Sequence, residues 1–307
     1  MSGDLAAAVR DGDERALARA ITVLENHGEG YRDLVADLYP AGGRARVVGV
    51  TGSPGAGKST LVDSLVGTLS ERGERVAVLA VDPASPFSGG AVLGDRVRMH
   101  GADAFVRSMS ARGAAGGLAA ATADAVTALD AAGFDWVLVE TVGAGQSEVD
   151  VVRVADTVAV LVPPDSGDDV QMLKAGILEI ADVFVVNKAD LDGADRTVRE
   201  LRRVVERRTG DWDPPVVETV ATTGEGVSAL LNALTSHRDA ADDQHRARHL
   251  AAVRAALDRA VDEQVRETVA AAGGVEALAD RVAAGDGDPA SVVESVLEGP
   301  TERRRQP

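Results

Sequence analysis

Residues 52–59 read Gly-Ser-Pro-Gly-Ala-Gly-Lys-Ser, a spacing whose chemistry is the binding of phosphate. Gly52, Gly55 and Gly57 let the main chain turn without a Cβ in the way, so that successive N–H groups can cradle an anion. Ser53, Pro54 and Ala56 complete the loop, and Thr60 follows it. Lys58 is placed to set its ammonium against β- and γ-phosphates, and Ser59 to offer its hydroxyl to Mg²⁺. A second set, Asn187-Lys188-Ala189-Asp190, reads a base. The Asp190 carboxylate accepts from the ring N–H and exocyclic amine of guanine. Adenine has neither donor there and would leave the charge unpaired. Lys188 lays its stem along the base, and Asn187 ties this loop to the phosphate loop. The chain holds three lysines, at 58, 174 and 188, so two of the three fall in these motifs. The expected ligand is GTP or GDP.

Three acidic positions between the motifs are candidates to serve the metal: Asp82, Asp95 and Glu140. Mg²⁺ takes oxygen ligands, few of them from protein, with water and phosphate completing the shell. With Ser59 these carboxylates form the predicted metal set. Glu140 opens Glu140-Thr141-Val142-Gly143, which mimics an Asp-x-x-Gly sensor of the γ-phosphate. Gly143 would give its N–H to that phosphate, and the segment after it would be a switch. The next residue, Ala144, cannot orient a water molecule; Gln146 is the candidate for that task, and otherwise it caps the helix that follows. Lys58, Glu140, Gly143 and Gln146 form the predicted catalytic set. Charge stabilisation by Lys58, Mg²⁺ and backbone amides would supply most of the catalysis. The expectation is slow intrinsic hydrolysis, accelerated when a partner orders the switches.

The elements that must position these residues alternate. Arg46–Thr51 is a β-branched run before the glycine loop, and Thr60–Val66 carries apolar residues at helical spacing after it. Strand, loop, helix is the order that aims a helix N-terminus at an anion. Further strands are predicted at Val76–Val81, Ala104–Met109, Trp136–Glu140, Thr157–Val162, Val183–Asn187 and Val216–Ala221, with helices at 117–132, 168–181 and 194–208. The predicted fold class is α/β: a mostly parallel sheet in a P-loop NTPase domain, helices on both faces, with helical N-terminal and C-terminal extensions. Ligands of such sheets bind at the carboxyl ends of the strands, where both motifs lie. The expected organisation is a helical segment over 1–43, the nucleotide domain over 44–240 and a helical extension over 241–307, in which 243–271 carries one apolar stripe and 274–283 and 289–297 form shorter helices.

Composition excludes several classes. The 307 residues include no cysteine, which removes disulfides, thiolate metal sites and cysteine nucleophiles. The five histidines, at 27, 100, 237, 245 and 249, form no tight ligand cluster. A formal charge of −17 argues against nucleic acid or an anionic membrane as the main partner. There is no run of 18 apolar residues and no signal-peptide pattern, so a soluble, cytoplasmic protein is expected. Acidic surface, little lysine and abundant alanine suggest a salt-adapted or high-GC host.

Longer stretches carry a resemblance. Asp82-Pro83-Ala84-Ser85-Pro86-Phe87-Ser88-Gly89-Gly90-Ala91-Val92-Leu93-Gly94-Asp95-Arg96-Val97-Arg98-Met99 closely resembles a signature of the MeaB/ArgK GTPases, as do residues 140–148 and 15–21. The resemblance covers roughly residues 10–240. It implies a G3E-type GTPase chaperone that gates cofactor loading and protects the adenosylcobalamin enzyme methylmalonyl-CoA mutase. It further implies a homodimer joined through C-terminal helices and an Mg²⁺ site surrounded by Asp82, Asp95 and Glu140. Cobalamin adenosyltransferase would be a second partner. Two departures stand out: Ala175 follows Lys174 where the family carries adjacent lysines in a third switch, and Val220-Ala221 replaces Ser-Ala in the guanine-supporting loop. There the Ala221 N–H would reach the guanine carbonyl without a serine hydroxyl to brace the loop. Two alternatives are a metal-delivery GTPase of the wider group, disfavoured by the missing cysteine, and a kinase of a lysine/arginine/ornithine transport system, disfavoured by Asp190.

Overall fold

Near-continuous runs of Val, Leu and Ala are what strands covered on both faces require. The computed structural model describes residues 2–82, 104–110, 118–141, 154–164, 179–208, 212–240, 253, 256–257, 260–261 and 264–297. Seven strands form one parallel sheet: β1 (Arg46–Gly52), β2 (Val76–Asp82), β3 (Ala104–Ser110), β4 (Trp136–Thr141), β5 (Thr157–Val162), β6 (Val183–Asn187) and β7 (Val216–Thr219), in the order β3-β2-β4-β1-β5-β6-β7. β1 therefore lies between β4 and β5, where the chain changes its direction of travel across the sheet. A crevice opens at the carboxyl end of β1 in such a topology.

Alternate residues of each strand feed opposite cores. On one face Val47, Leu79, Val137 and Val139 meet α1 (Ser2–Arg10), α2 (Glu14–Glu25), α3 (Tyr31–Leu38) and α5 (Leu118–Ala131). On the same face Val158, Val160, Phe184 and Val186 meet α6 (Ala194–Val205). On the other, Val48, Val50, Val78, Leu138, Leu161 and Val185 pack against α4 (Lys58–Glu71) and α7 (Val227–Ala240). The N-terminal segment is three helices that share the sheet's core. Leu17, Ile21, Leu24, Leu34 and Leu38 are fully buried, each contributing roughly 1.5–3 kcal/mol. The first break is set by Gly12 at φ 82° and the Asp13 cap, whose carboxylate accepts from Arg15 N and Ala16 N.

Two boundaries differ from the sequence reading. The last predicted strand stops at Thr219, because Val220 turns to pair antiparallel with Glu225. The helix predicted at 168–181 lies largely outside the described residues, and 179–181 are not helical. The chain divides into two compact units, Met1–Val253 and Arg254–Pro307. The second contains α8 (Gly274–Ala283) and α9 (Pro289–Leu297), with Leu278 and Val292 buried, and Asp288 caps α9 through Ala290 N and Ser291 N. No described helix is long and apolar enough to cross a membrane.

Carboxylates hold the segment that enters β1. Asp130 of α5 accepts from Gly43 N at 2.5 Å, Arg44 N at 3.0 Å and Ala45 N at 2.9 Å. Its side chain is buried, so truncation strands three donors. Asp130→Ala is expected to lower stability by about 3 kcal/mol, and Asp130→Asn by less, since an amide oxygen still accepts. Denaturant midpoints check this, and an unchanged midpoint for the alanine variant would contradict it.

A buried chain of polar groups sits at the opposite end of the sheet from the crevice. Thr157 Oγ1 and His237 Nδ1 are 2.9 Å apart, His237 Nε2 lies 3.3 Å from Asp182 Oδ1, and Asp182 Oδ2 accepts from Val158 N. Trp212 meets the His237 ring edge-on and donates to Asp182 O. Burial pushes Asp182 up to about 6 and His237 down to about 4. Between pH 6.5 and 4 the unfolded chain binds a proton at His237 that the folded chain refuses, so stability falls as pH falls. Between pH 6 and 4 the folded chain binds a proton at Asp182 that the unfolded chain does not, so that contribution rises. The two oppose each other. Asp182→Asn removes the compensation, and the variant is expected to lose about 2–3 kcal/mol more than the natural chain between pH 6.5 and 4. Denaturation across that range reads the difference, and parallel profiles would refute it.

Candidate nucleotide-binding site

The phosphate loop leaves β1 at Gly52 and enters α4 at Lys58. Gly57 takes a left-handed φ of 89°, and a Cβ there would stand 2.5 Å from Asn187 Nδ2. Glycine is required at this position because the loop passes directly against the base motif. Ala56 is fully buried, whereas Pro54, Gly55 and Thr60 are exposed at the mouth of the crevice. Lys58 is buried, and its Nζ donates to Gly52 O at 2.8 Å and Ser53 O at 3.2 Å. The loop thus wraps its own ammonium, a positive charge set among backbone N–H groups at a helix N-terminus. Ser53 Oγ is enclosed and has no hydrogen-bond partner among the described residues, which suits a loop that must still receive an anion.

Ser59 Oγ donates to Glu140 Oε1 at 2.5 Å, and Glu140 is buried at the end of β4. Beside them, Thr141 Oγ1 donates to Thr51 Oγ1 at 3.1 Å and couples the tips of β4 and β1. Asp82 closes β2, one register step beyond the Val81–Thr141 pair, so strand pairing brings its backbone to the same edge. A hydroxyl and carboxylates are hard oxygen donors, and the Ser59–Glu140 pair fits Mg²⁺ on that ground. Asp95, Gly143 and Gln146 lie outside the described residues, as do Lys174 and Ala175.

Asn187 is the joint of the site. It is buried at the end of β6; its Nδ2 donates to Ala56 O at 2.8 Å, and its Oδ1 accepts from Thr219 Oγ1 at 3.0 Å and Ala221 N at 3.2 Å. One amide therefore fixes the phosphate loop, the end of β7 and the turn after it. Lys188 is held at φ 62°, and its Cε approaches the Gly57 position, so its stem lies over the phosphate loop. Ala189 N donates to Thr219 O and Leu191 N to Lys188 O, which pins the loop that presents the exposed Asp190.

The turn after β7 is braced without the serine absent at 220. Val220 N donates to Glu225 O at 3.0 Å, Thr223 N and Gly224 N both reach Val220 O at 3.0 Å, and Thr223 Oγ1 also donates to it. Gly226 closes the turn at φ 77°, where a Cβ would collide with Glu218 O. As placed, the Ala221 N–H supports Asn187 rather than standing open to a base. Thr219 and Thr223 went unnoticed in the sequence; the available signal was a threonine at the last position of the strand beside the base motif.

The chain has relatives among known proteins. The family model described as methylmalonyl-CoA mutase-associated GTPase MeaB matches residues 17–274. A protein of Pyrococcus abyssi named as a GTPase is 44% identical over 317 residues, covering 97% of this chain and 96% of its own. GTPase ArgK of Escherichia coli is 35% identical, covering 76% of this chain and 74% of its own. A crystal structure of an LAO/AO transport system kinase superposes with a TM-score of 0.71 at 26% identity, covering 97% of this chain and 96% of that one. The family model spans most of the chain, the Pyrococcus protein and the kinase structure match along nearly their whole length and ArgK along about three quarters of its own, and the chain belongs to the MeaB family of P-loop GTPases.

Proposed function

We propose that the chain is a GTP-hydrolysing chaperone that regulates adenosylcobalamin loading and protection of methylmalonyl-CoA mutase. The observation that carries the nucleotide half is the Asn187 joint, which fixes the phosphate loop and the guanine-type loop as one rigid unit. The match to a mutase-associated family supports the partner. Asp190 would read guanine, Lys58 and the loop amides would hold the phosphates, and Ser59 with Glu140, joined by Asp82 and Asp95, would hold Mg²⁺. The metal would neutralise charge on the phosphate oxygens during transfer. Ser59 Oγ donates to Glu140 Oε1, so the two residues that would receive the ion lie side by side.

Ala144 stands where a water-orienting side chain would be needed, and this supports a slow intrinsic rate raised by a partner. The test is hydrolysis of GTP by the purified chain, alone and with methylmalonyl-CoA mutase from the same host, with ATP as control. GTP-specific turnover raised by the mutase is expected. Turnover indifferent to the mutase would remove the proposed partner, and equal use of ATP would favour the kinase reading.

The second unit supports a homodimer. Leu257, Val261 and Val265 recur every four residues and are 62%, 54% and 38% exposed, an apolar stripe that solvent penalises. Light scattering should give twice the chain mass, and Leu257→Asp with Val261→Asp should give the monomer; a monomeric natural chain would overturn the assignment.

A further inference from the structure

The chain carries 49 carboxylates against 32 lysines and arginines, yet one helix reverses the balance. From residue 194 to 208 there are six arginines and three carboxylates. In α6 the buried face is Ala194, Thr197, Val198 and Leu201, which pack on the sheet. At 100° per residue, Arg196, Arg199, Arg203 and Arg207 fall on the opposite side, the last in the turn that ends the helix. All four are exposed. Arg196 donates to Glu200 at 3.0 Å, an exposed pair worth little. Arg199, Arg203 and Arg207 make no ion pair or hydrogen bond with any described side chain. In a chain so rich in carboxylates, three outward guanidiniums without a carboxylate partner among the described residues are not what charge balancing alone would produce.

The row has an apolar neighbour at a rigid spot. Leu191, 52% exposed, sits in the turn between the base motif and α6. That turn is fixed by Leu191 N to Lys188 O, Ala194 N to Leu191 O, and Arg196 N and Thr197 N to Gly193 O. Arginine is among the residue types enriched at interfaces, and the exposed leucine adds apolar contact at the end of the row.

We infer that the Arg196–Arg199–Arg203–Arg207 face of α6, with Leu191, docks an acidic surface of a partner protein next to the guanine loop. The inference does not depend on which protein that partner is. The sign of the patch selects carboxylates or phosphates, and the −17 charge of the whole chain opposes a stiff or planar polyanion such as duplex nucleic acid or an anionic bilayer more than a flexible carboxylate chain that can follow the patch alone. A compact acidic protein surface meets the patch without covering the rest of the molecule. A second copy of the chain is acidic elsewhere, but basic-to-acidic pairing between copies is head-to-tail and leaves an open chain rather than a closed oligomer. Because α6 starts four residues after Asp190, a partner seated here touches the element that frames the base. Partner affinity and nucleotide affinity would then influence each other reciprocally.

The probe is fluorescein-labelled poly-L-glutamate, titrated with the full chain and followed by anisotropy, with duplex DNA and phosphatidylserine vesicles in parallel. Binding of poly-L-glutamate is expected to weaken with salt. It should fall by about tenfold or more in the double variant Arg199→Glu, Arg203→Glu. The variant Arg199→Lys, Arg203→Lys should retain most of it. GDP affinity, unchanged in both variants, confirms that they fold; if the reversal does not fold, Arg199→Gln with Arg203→Gln reads the same loss. No binding by the natural chain, equal binding by the reversal variant, or tighter binding of DNA or vesicles than of poly-L-glutamate would overturn the inference.

Discussion

Asn187→Ala is expected to lower GDP affinity by about a hundredfold and fold stability by about 3 kcal/mol, a double effect that few surface loops could show. Asn187 is 1% exposed, and its side chain makes three hydrogen bonds inside the protein. Its removal strands Ala56 O, the Thr219 hydroxyl and Ala221 N–H, each of which it now satisfies. An unpaired buried polar group costs about 1–3 kcal/mol, and some relaxation of the turn offsets part of the total. Affinity falls because the phosphate loop and the base loop are no longer held at a fixed separation, so nucleotide binding must itself order them. Thr219→Val supplies the comparison: it removes one of the three bonds and should cost about 1 kcal/mol. Isothermal titration with GDP and urea denaturation measure the two effects. An Asn187→Ala chain that binds GDP normally would show that the two loops do not depend on this joint.

Lys58→Ala should separate chemistry from folding. Hydrolysis is expected to fall by about a hundred- to thousandfold, the loss typical of removing one group that stabilises developing charge. Without nucleotide, stability should stay within about 1 kcal/mol of the natural chain, since losing the ammonium's bonds to Gly52 O and Ser53 O is offset by no longer burying a charge. What should disappear is the rise in melting temperature on adding GDP, because a ligand stabilises only in proportion to its affinity for the folded state. Retained turnover in this variant would place the phosphates elsewhere than the loop from Gly52 to Ser59.

The sequence reading and the structure agree most closely where burial and periodicity act together. All seven strands were legible, the central ones because a strand covered on both faces must be apolar throughout, and Val47–Val50, Val137–Val139 and Val183–Val186 can hardly be anything else. The phosphate loop was legible because glycine at left-handed φ leaves a mark in composition. The shared core of the N-terminal helices was not: Leu17, Ile21 and Leu24 announce an apolar face without naming the element that covers it.

Residue types and spacing alone determined the α/β class, the phosphate loop, the base motif and the absence of thiol chemistry. These are local matters, set by backbone freedom, side-chain charge and periodicity within a few residues. Tertiary structure alone decided that Asn187 binds Ala56, Thr219 and Ala221, that Ser59 faces Glu140, and that Asp182 and His237 share a buried site. These partners lie far apart along the chain, and a hydrogen bond is specified by ångströms in space, which strand order and register supply and sequence separation does not.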